Sequence, residues 1–389
     1  MATIGECQPV AVGDAGAIAD LANAVDADLT VLGAEVPLVA GAVDALTARG
    51  RVAFGPTAAG ARLEGSKAWM KQLLADAGVP TAQFATFNAG HEAEALAFVE
   101  TLKGRYVIKT DGLAAGKGVV VTESLTEARD AVRAYLSGAA HGDAGRTVVI
   151  EEALSGPELS LLVLCDGRSD PEGAIPLAPA QDFKRLRDGD IGPNTGGMGA
   201  YSPVPAIGAN MVDEVMERAV RPSLRALARQ GISYRGVLYA GIMLTEDGPK
   251  VLEYNVRFGD PECQVVIPRL TSDLAAHCLE SATGAFETPV TFDDDACVTV
   301  VLAADGYPEA PRIGDEITGL SAAGAVEGVT VFHAGTALRD GAVVTAGGRV
   351  LNVTAKAATI EEARERAYRA VEKISWPGVQ YRQDIAAHQ

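Results

Sequence analysis

The chain has 389 residues, 48% hydrophobic and 22% charged, a composition that excludes disorder and suffices for two or three domains with cores of their own. Its net charge of −18 argues against nucleic acid or an anionic membrane as a partner, because binding either depends on neutralising phosphates with basic residues. Apolar runs such as 159–165 are strand-length, so no bilayer span is expected, and the opening MATIGECQPVAVGDAG lacks the pattern of a signal peptide. Five scattered cysteines, never in a C-x-x-C pair, suit a reducing cytoplasm, and five well-separated histidines give no zinc pattern.

In chain order, LTVLGAEVPLVAGAVDAL reads as a buried strand at 29–32, a loop with Glu35 and Pro37, then a helix, which is a parallel α/β unit. VAFGPTAAGARLEGSKAWMKQLLADAGVP adds a strand, a Gly-Pro turn and a helix capped by Ser66 and ended by Gly78 and Pro80. A first unit is therefore expected over 1–66. Next come a strand near 83–87, a helix at 91–102, and two apolar runs flanking a glycine-rich loop in YVIKTDGLAAGKGVVV. A helix follows with a capping box, Ser124 and Glu127. RTVVIEEALSGPELSLLVLCDG supplies two strands around 155–157, and 84–155 reads as a small α+β lid within a larger unit over 67–273. The segment QDFKRLRDGDIGPNTGGMGAYSPVP is too rich in Gly, Pro and Asp for regular structure. A helix at 211–230, paired strands in GVLYAGIMLTEDGPKVLEYNVRFGD, and a β-rich third unit over 290–389 complete the chain, its final helix opened by Thr359 and Glu362.

The glycine loop is not a P-loop. Only three residues separate Gly112 from Gly116, Gly118 stands where Ser or Thr is required, and β-branched residues follow where a helix should open. It is a strand-to-strand tip whose glycines and two lysines, Lys109 and Lys117, suit phosphate. A flexible surface turn has the same composition.

In KVLEYNVRFGD, a period of two puts Glu253, Asn255 and Arg257 on one face, with Val251, Leu252 and Val256 filling the core. A carboxylate beside an amide oxygen offers hard ligands for magnesium that also binds nucleotide phosphates; a solvent-facing polar strand edge is the alternative, against which stands the poor strand propensity of Asn. In EEALSGPE, a nucleotide lying against the lid would meet Glu151, Glu152 and the backbone to Leu154 at its base and Glu158 at its ribose. A solvated acidic turn fits equally, and spacing does not decide between them. The loop 182–201 pairs Lys184, Arg185 and Arg187 with a glycine-rich turn, as would a loop ordering over anions or a merely solvated one.

RFGDPECQ, with FGPT, EGSKAW, IKTDGLAAGKGVVV, GPNTGGMGAYSP and FHAGT in order across nearly the whole chain, resembles the signature set of the phosphoribosylamine-glycine ligases, ATP-grasp enzymes of purine synthesis. The resemblance implies an ATP-grasp fold, mixing α/β and α+β, flanked by a Rossmann-like first unit and a small β-rich last one. It implies ATP contacts from Lys67, Lys109, Gly116, Lys117, Glu151, Glu152, Leu154 and Glu158, and Mg2+ or Mn2+ on Glu253 and Asn255. Substrate binding falls to Glu35, Pro37, Asp182, Lys184, Asn194, Gly196, Gly197, Arg257 and Glu262, and catalysis to Arg257 and Asp260. The implied reaction joins glycine to 5-phospho-D-ribosylamine through glycyl phosphate in a monomer. The family's opening strand and G-N-G-G-R-E-H loop do not occur here, so the first sheet is expected to lack its leading strand, and GAEVPL stands where the family has G-P-E-A-P-L. Another ATP-grasp carboxylate-amine ligase, or a nucleotide-binding remnant without catalysis, would share the fold and the metal pair.

Overall fold

The computed structural model describes residues 5–113, 118–138 and 146–387. In the first unit, the strands Thr30–Val31 and Ala53–Phe54 pair in parallel. Its core is not separate. One apolar cluster runs from Leu38 and Leu46 through Met70 and Leu74 to Leu161 and Val163 of the central sheet, so burial in this unit stabilises its junction with the rest of the chain.

The helix Lys67–Ala77 starts where its cap predicts: Ser66 Oγ accepts from the Trp69 amide at 3.2 Å, and Gly78 ends the helix at a φ of 67°. Asp111, at the root of the glycine loop, accepts from the Ala68 amide at 3.0 Å and from Ser66 Oγ at 3.1 Å. The loop is thus fastened to a helix N-terminus, where a carboxylate is favoured.

The lid is an antiparallel sheet in the order Phe84–Asn88, Thr147–Glu152, Tyr106–Thr110, Val119–Thr122. Helices Glu92–Thr101 and Leu125–Leu136 pack on it through Ala95, Val99, Ala128 and Val132, against Ile108 and Ile150. The glycine loop joins two strands with Lys109 opposite Val119, while Gly116 and Lys117 lie outside the described residues.

The central sheet runs Gly248–Asn255, Arg235–Thr245, Glu158–Asp166, Ala174–Pro176. Consequently the two strands around 155–157 belong to different sheets, and the turn 153–157 crosses from lid to central sheet. Gly156 makes the crossing possible. Its φ is 147°, and a Cβ there would sit 2.0 Å from the Leu244 carbonyl oxygen.

Several elements differ from expectation. Glu35 and Pro37, expected in a loop, lie in a short helix, Glu35–Val39, ahead of the helix Ala42–Ala48. The helix at 211–230 is interrupted by a π turn, Met216–Val220, between Ala209–Val215 and Arg221–Arg229. Pro222 lies just beyond that turn, and its ring and missing N–H disfavour the ordinary ladder. The segment 181–202 is also more regular than its composition suggests: Arg185–Arg187 and Ile191–Asn194 form a hairpin, and Gly199–Ser202 is a buried strand. That strand joins Gln181–Asp182 on one side and Ala296–Ala303 of the last unit on the other, in a five-stranded sheet with Arg349–Ala357 and Val329–His333. Its glycine is required by crowding, since a Cβ on Gly199 would lie 2.7 Å from the Thr299 carbonyl oxygen. The helix Ile360–Val371 covers the sheet, with Thr359 Oγ1 accepting from the Glu362 amide at 3.2 Å.

Candidate active site

Between lid, central sheet and last unit lie two cavities of about 620 and 540 Å³, which share Val119, Asp182, Lys184, Thr195 and Glu253 on their walls. The larger also takes in Glu35, Lys67, Gly196, Asn255, Arg257, Asp260 and Glu262. Lys109, Glu151, Glu152, Leu154, Glu158 and Asn194 line the smaller. Among the described residues, two expected ones lie off both walls. Pro37 is buried within the helix Glu35–Val39, and Gly197, at a φ of 111°, forms a turn against Pro261, where a Cβ would come within 2.4 Å of the proline ring.

Lys109 reaches the cleft from the lid, and its ammonium donates to the Leu252 carbonyl oxygen at 3.2 Å. That carbonyl is available because the strand bulges: Gly241 pairs with Glu253 but Ile242 pairs with Val251, leaving Leu252 unmatched. Leu252 is therefore half-buried on the smaller cavity rather than in the core, while Val251, Tyr254 and Val256 fill the interior. The carboxylate that answers Lys109 is Glu151, 2.9 Å away, and its other oxygen accepts from Lys71 at 2.7 Å. Lys71 is fully buried and also donates to Thr81 Oγ1 at 2.7 Å, which donates in turn to the Val251 carbonyl. The Glu151 side chain is thus engaged by two ammonium groups. Burial would raise the Glu151 carboxyl, but the two lysines outweigh it and hold the group low.

Glu253 sits where the cavities meet. Burial opposes its ionisation, yet Lys184, Lys109, Lys67 and Arg257 around it keep its pKa below the ordinary value. Lys67 donates to the Gly112 carbonyl at 2.9 Å, at the root of the glycine loop. Lys184 lies 3.1 Å from Asp182 and 3.6 Å from Glu158. Burial lowers Lys67, whereas in Lys184 the surrounding acids override burial and hold the ammonium charged.

Arg257 is fixed by two glutamates of the first unit, Glu64 at 3.2 Å and Glu35 at 3.5 Å. Glu64 Oε2 also accepts from the Val256 amide at 2.8 Å, so it staples the first unit to the metal-candidate strand. Asp260 accepts from Gln264 Nε2 at 2.8 Å and pairs with Arg349 at 3.1 Å. Glu262 is buried and accepts from Ser160 Oγ at 3.0 Å; its pKa is raised by burial and by Asp182.

Lys71, Glu64, Tyr307 and Arg349 are absent from the sequence expectations. The last two bring the final unit into the site: the Gly196 amide donates to Tyr307 Oη at 3.0 Å, and Arg349 donates to the Gly196 and Asp260 carbonyls at 2.6 and 2.7 Å. Only a Glu before a Ser-capped helix hints at Glu64. No local pattern marks the others.

The donor set fits a divalent cation. Six carboxylates, Glu35, Glu64, Asp182, Glu253, Asp260 and Glu262, face four cations, Lys67, Lys184, Arg257 and Arg349, on the larger cavity. Among the described residues no three His, Cys, Asp or Glu form a metal cage of their own. An ion on Glu253 and Asn255 would therefore complete its oxygen shell with nucleotide phosphates, as hard cations in such sites do.

The chain matches the sequence profiles of the phosphoribosylglycinamide synthetase N domain over 1–64, its ATP-grasp (A) domain over 65–263 and its C domain over 297–388. It is 48% identical to the phosphoribosylamine-glycine ligase of Streptomyces coelicolor, covering 100% of this chain and 90% of the relative, and 49% identical to that of Pseudomonas aeruginosa, covering 99% and 89%. The crystal structure of the phosphoribosylamine-glycine ligase of Thermotoga maritima superposes with a TM-score of 0.77 at 39% identity, covering 86% of this chain and 81% of that one. The biotin carboxylase domain of the Hydrogenobacter thermophilus 2-oxoglutarate carboxylase shares the fold, with a TM-score of 0.72 at 19% identity, covering 96% and 81%. With all three domain profiles in order around an ATP-grasp cleft, the chain belongs to the phosphoribosylamine-glycine ligase family of ATP-dependent carbon-nitrogen ligases in purine biosynthesis.

Proposed function

We propose that the smaller cavity takes ATP and the larger takes glycine and 5-phospho-D-ribosylamine, with transfer occurring where they join at Glu253 and Lys184. The observation that carries this assignment is the shared wall itself, which lets a triphosphate from one side meet a carboxylate from the other.

A glycine carboxylate is a poor electrophile. One of its oxygens attacks the γ-phosphorus of ATP and ADP leaves, giving glycyl phosphate. The ribosylamine nitrogen then attacks the acyl carbon, sheds a proton, and inorganic phosphate departs with the carboxylate oxygen. Phosphoryl transfer asks the protein mainly for positioning and charge neutralisation. Lys109, oriented by Glu151 and Lys71, supplies a cation on the ATP side, and Lys67, held at the loop root, supplies one from the adjoining wall of the larger cavity. Glu152, Leu154 and Glu158 form the base and ribose wall. Arg257, preset by Glu64 and Glu35, offers its remaining donor capacity to a substrate carboxylate or phosphate. Asp260 orders the junction with the last unit and presents a half-exposed carboxylate to the amine. Magnesium or manganese on Glu253 and Asn255 would lower the repulsion between carboxylate and triphosphate.

The test is ADP release that requires both glycine and the ribosylamine. ADP formation with a different acid would assign the cleft to another carboxylate-amine ligase, and ATP binding without turnover would make it a nucleotide-binding remnant. We also infer a cytoplasmic location, in keeping with five free thiols, and a monomer, as the family resemblance implies; sedimentation at working concentration checks the monomer.

A further inference from the structure

We propose that Arg382 and Asp384, close to the end of the chain, are positioning residues that clamp the hairpin carrying Lys184 into the cleft; the proposal rests on the reading of Lys184 as a substrate-facing cation.

Lys184 directly precedes a two-stranded hairpin, Arg185–Arg187 with Ile191–Asn194, and an isolated pair of short strands is marginal on its own. Arg382 grips both chain neighbours of Lys184. Its guanidinium lies 4.9 Å from the Phe183 ring centroid and donates to the Arg185 carbonyl at 3.1 Å. It also reaches Asp190 at the hairpin tip, 3.2 Å away. Asp384 holds the guanidinium through two bonds of 2.7 Å and accepts from the Gly189 amide at 2.8 Å. The Gln383 amide adds a 2.7 Å bond to Asp188. From behind, Tyr368 Oη donates to the Arg382 carbonyl at 2.7 Å and Arg364 to the Gln383 carbonyl at 2.7 Å, anchoring the clamp to the last helix. Arg382 is 2% exposed. Arg382 itself lies on the wall of the smaller cavity, but a cation so buried and so fully engaged shapes that wall chiefly through the hairpin it holds, and bidentate charge-assisted bonds fix that geometry tightly.

The experiment is a double-mutant cycle on the full chain with Arg382→Ala and Lys184→Met, reading kcat and KM for each substrate together with melting temperature; Asp384→Asn repeats it should Arg382→Ala fail to fold. A clamp acting through Lys184 lowers kcat/KM about tenfold or more in the Arg382→Ala enzyme. The double mutant then falls no further than Lys184→Met alone, within about twofold, and Arg382→Lys recovers only part of the loss. Effects that multiply, or a lowered melting temperature with kcat/KM of the folded enzyme unchanged, overturn the clamp. Normal turnover by Lys184→Met overturns the reading of the site itself, and the clamp with it.

Discussion

Lys71→Met tests the charge arrangement beneath the cavity we assign to ATP. Lys71 and Lys109 share Glu151, so the triad carries one net positive charge, and Lys71 leaves the Lys109 charge uncompensated. Breaking a buried ion pair costs about 3–5 kcal/mol when it strands a charge. Here Lys109 remains 2.9 Å from the carboxylate, so a loss of about 2 kcal/mol in stability is expected. The functional loss is separate. At an effective dielectric of about 20, a unit charge about 8 Å from a phosphate is worth about 2 kcal/mol, or about thirtyfold in ATP affinity. Burial lowers the Lys71 ammonium to about 8 even with Glu151 beside it, so the unmodified enzyme loses this charge as pH rises through about 8. Steady-state kinetics from about pH 6.5 to about pH 9.5 should therefore show KM for ATP climbing through that range in the wild type, but already high and flat in Lys71→Met. A variant with a lower melting temperature and a wild-type KM for ATP would refute the electrostatic role and leave Lys71 as a strut.

Glu253→Ala should cut metal-dependent turnover by about tenfold to a hundredfold while the core residues Val251 and Tyr254 keep the fold; metal titration of activity beside a thermal melt decides, and equal losses in both would make Glu253 structural. Gly156→Ala should destabilise by about 3 kcal/mol, since its φ is unfavourable for Ala and its Cβ would meet backbone rather than a movable side chain; denaturant unfolding measures it. Against burial, Arg382 and the Gly189 amide hold the Asp384 carboxyl down to about 2, below its ordinary 3.8. A depressed carboxyl stabilises the fold above its unfolded pKa and loses that contribution as pH falls through the folded one. The melting difference between wild type and Asp384→Asn should thus be full above about pH 4 and vanish towards about pH 2.

Local chemistry is legible in the sequence. Ser66, Ser124 and Thr359 cap the helices they precede, because a cap depends on residues within one turn. Alternation likewise places Glu253, Asn255 and Arg257 on the cleft, since strand period is a local property. It misplaces Leu252 because a bulge is set by the partner strand, which the pattern of one strand does not contain. The two strands beside 153–157 look like a hairpin because sheet membership depends on distant partners, Phe84–Asn88 for one and Arg235–Thr245 for the other. Lys71, Arg349 and Arg382 go unmarked for the same reason: although Lys71 also meets Thr81 and Arg382 also pairs with Asp384 nearby, the groups through which each reaches the site lie 80 or more positions away, some of them carbonyls with no side-chain signature.

The crossing at 153–157 has a mechanical corollary. Any rigid swing of the lid sheet against the central sheet must bend the chain at this strap, whose Gly156 is pinned on the Leu244 carbonyl and whose Leu154, with the adjoining Glu152, lines the cavity we assign to ATP. With ATP placed as we propose, grip on the purine and freedom of the jaw reside in the same few peptides, so a substitution made to alter base preference is expected also to change how fast spent nucleotide escapes.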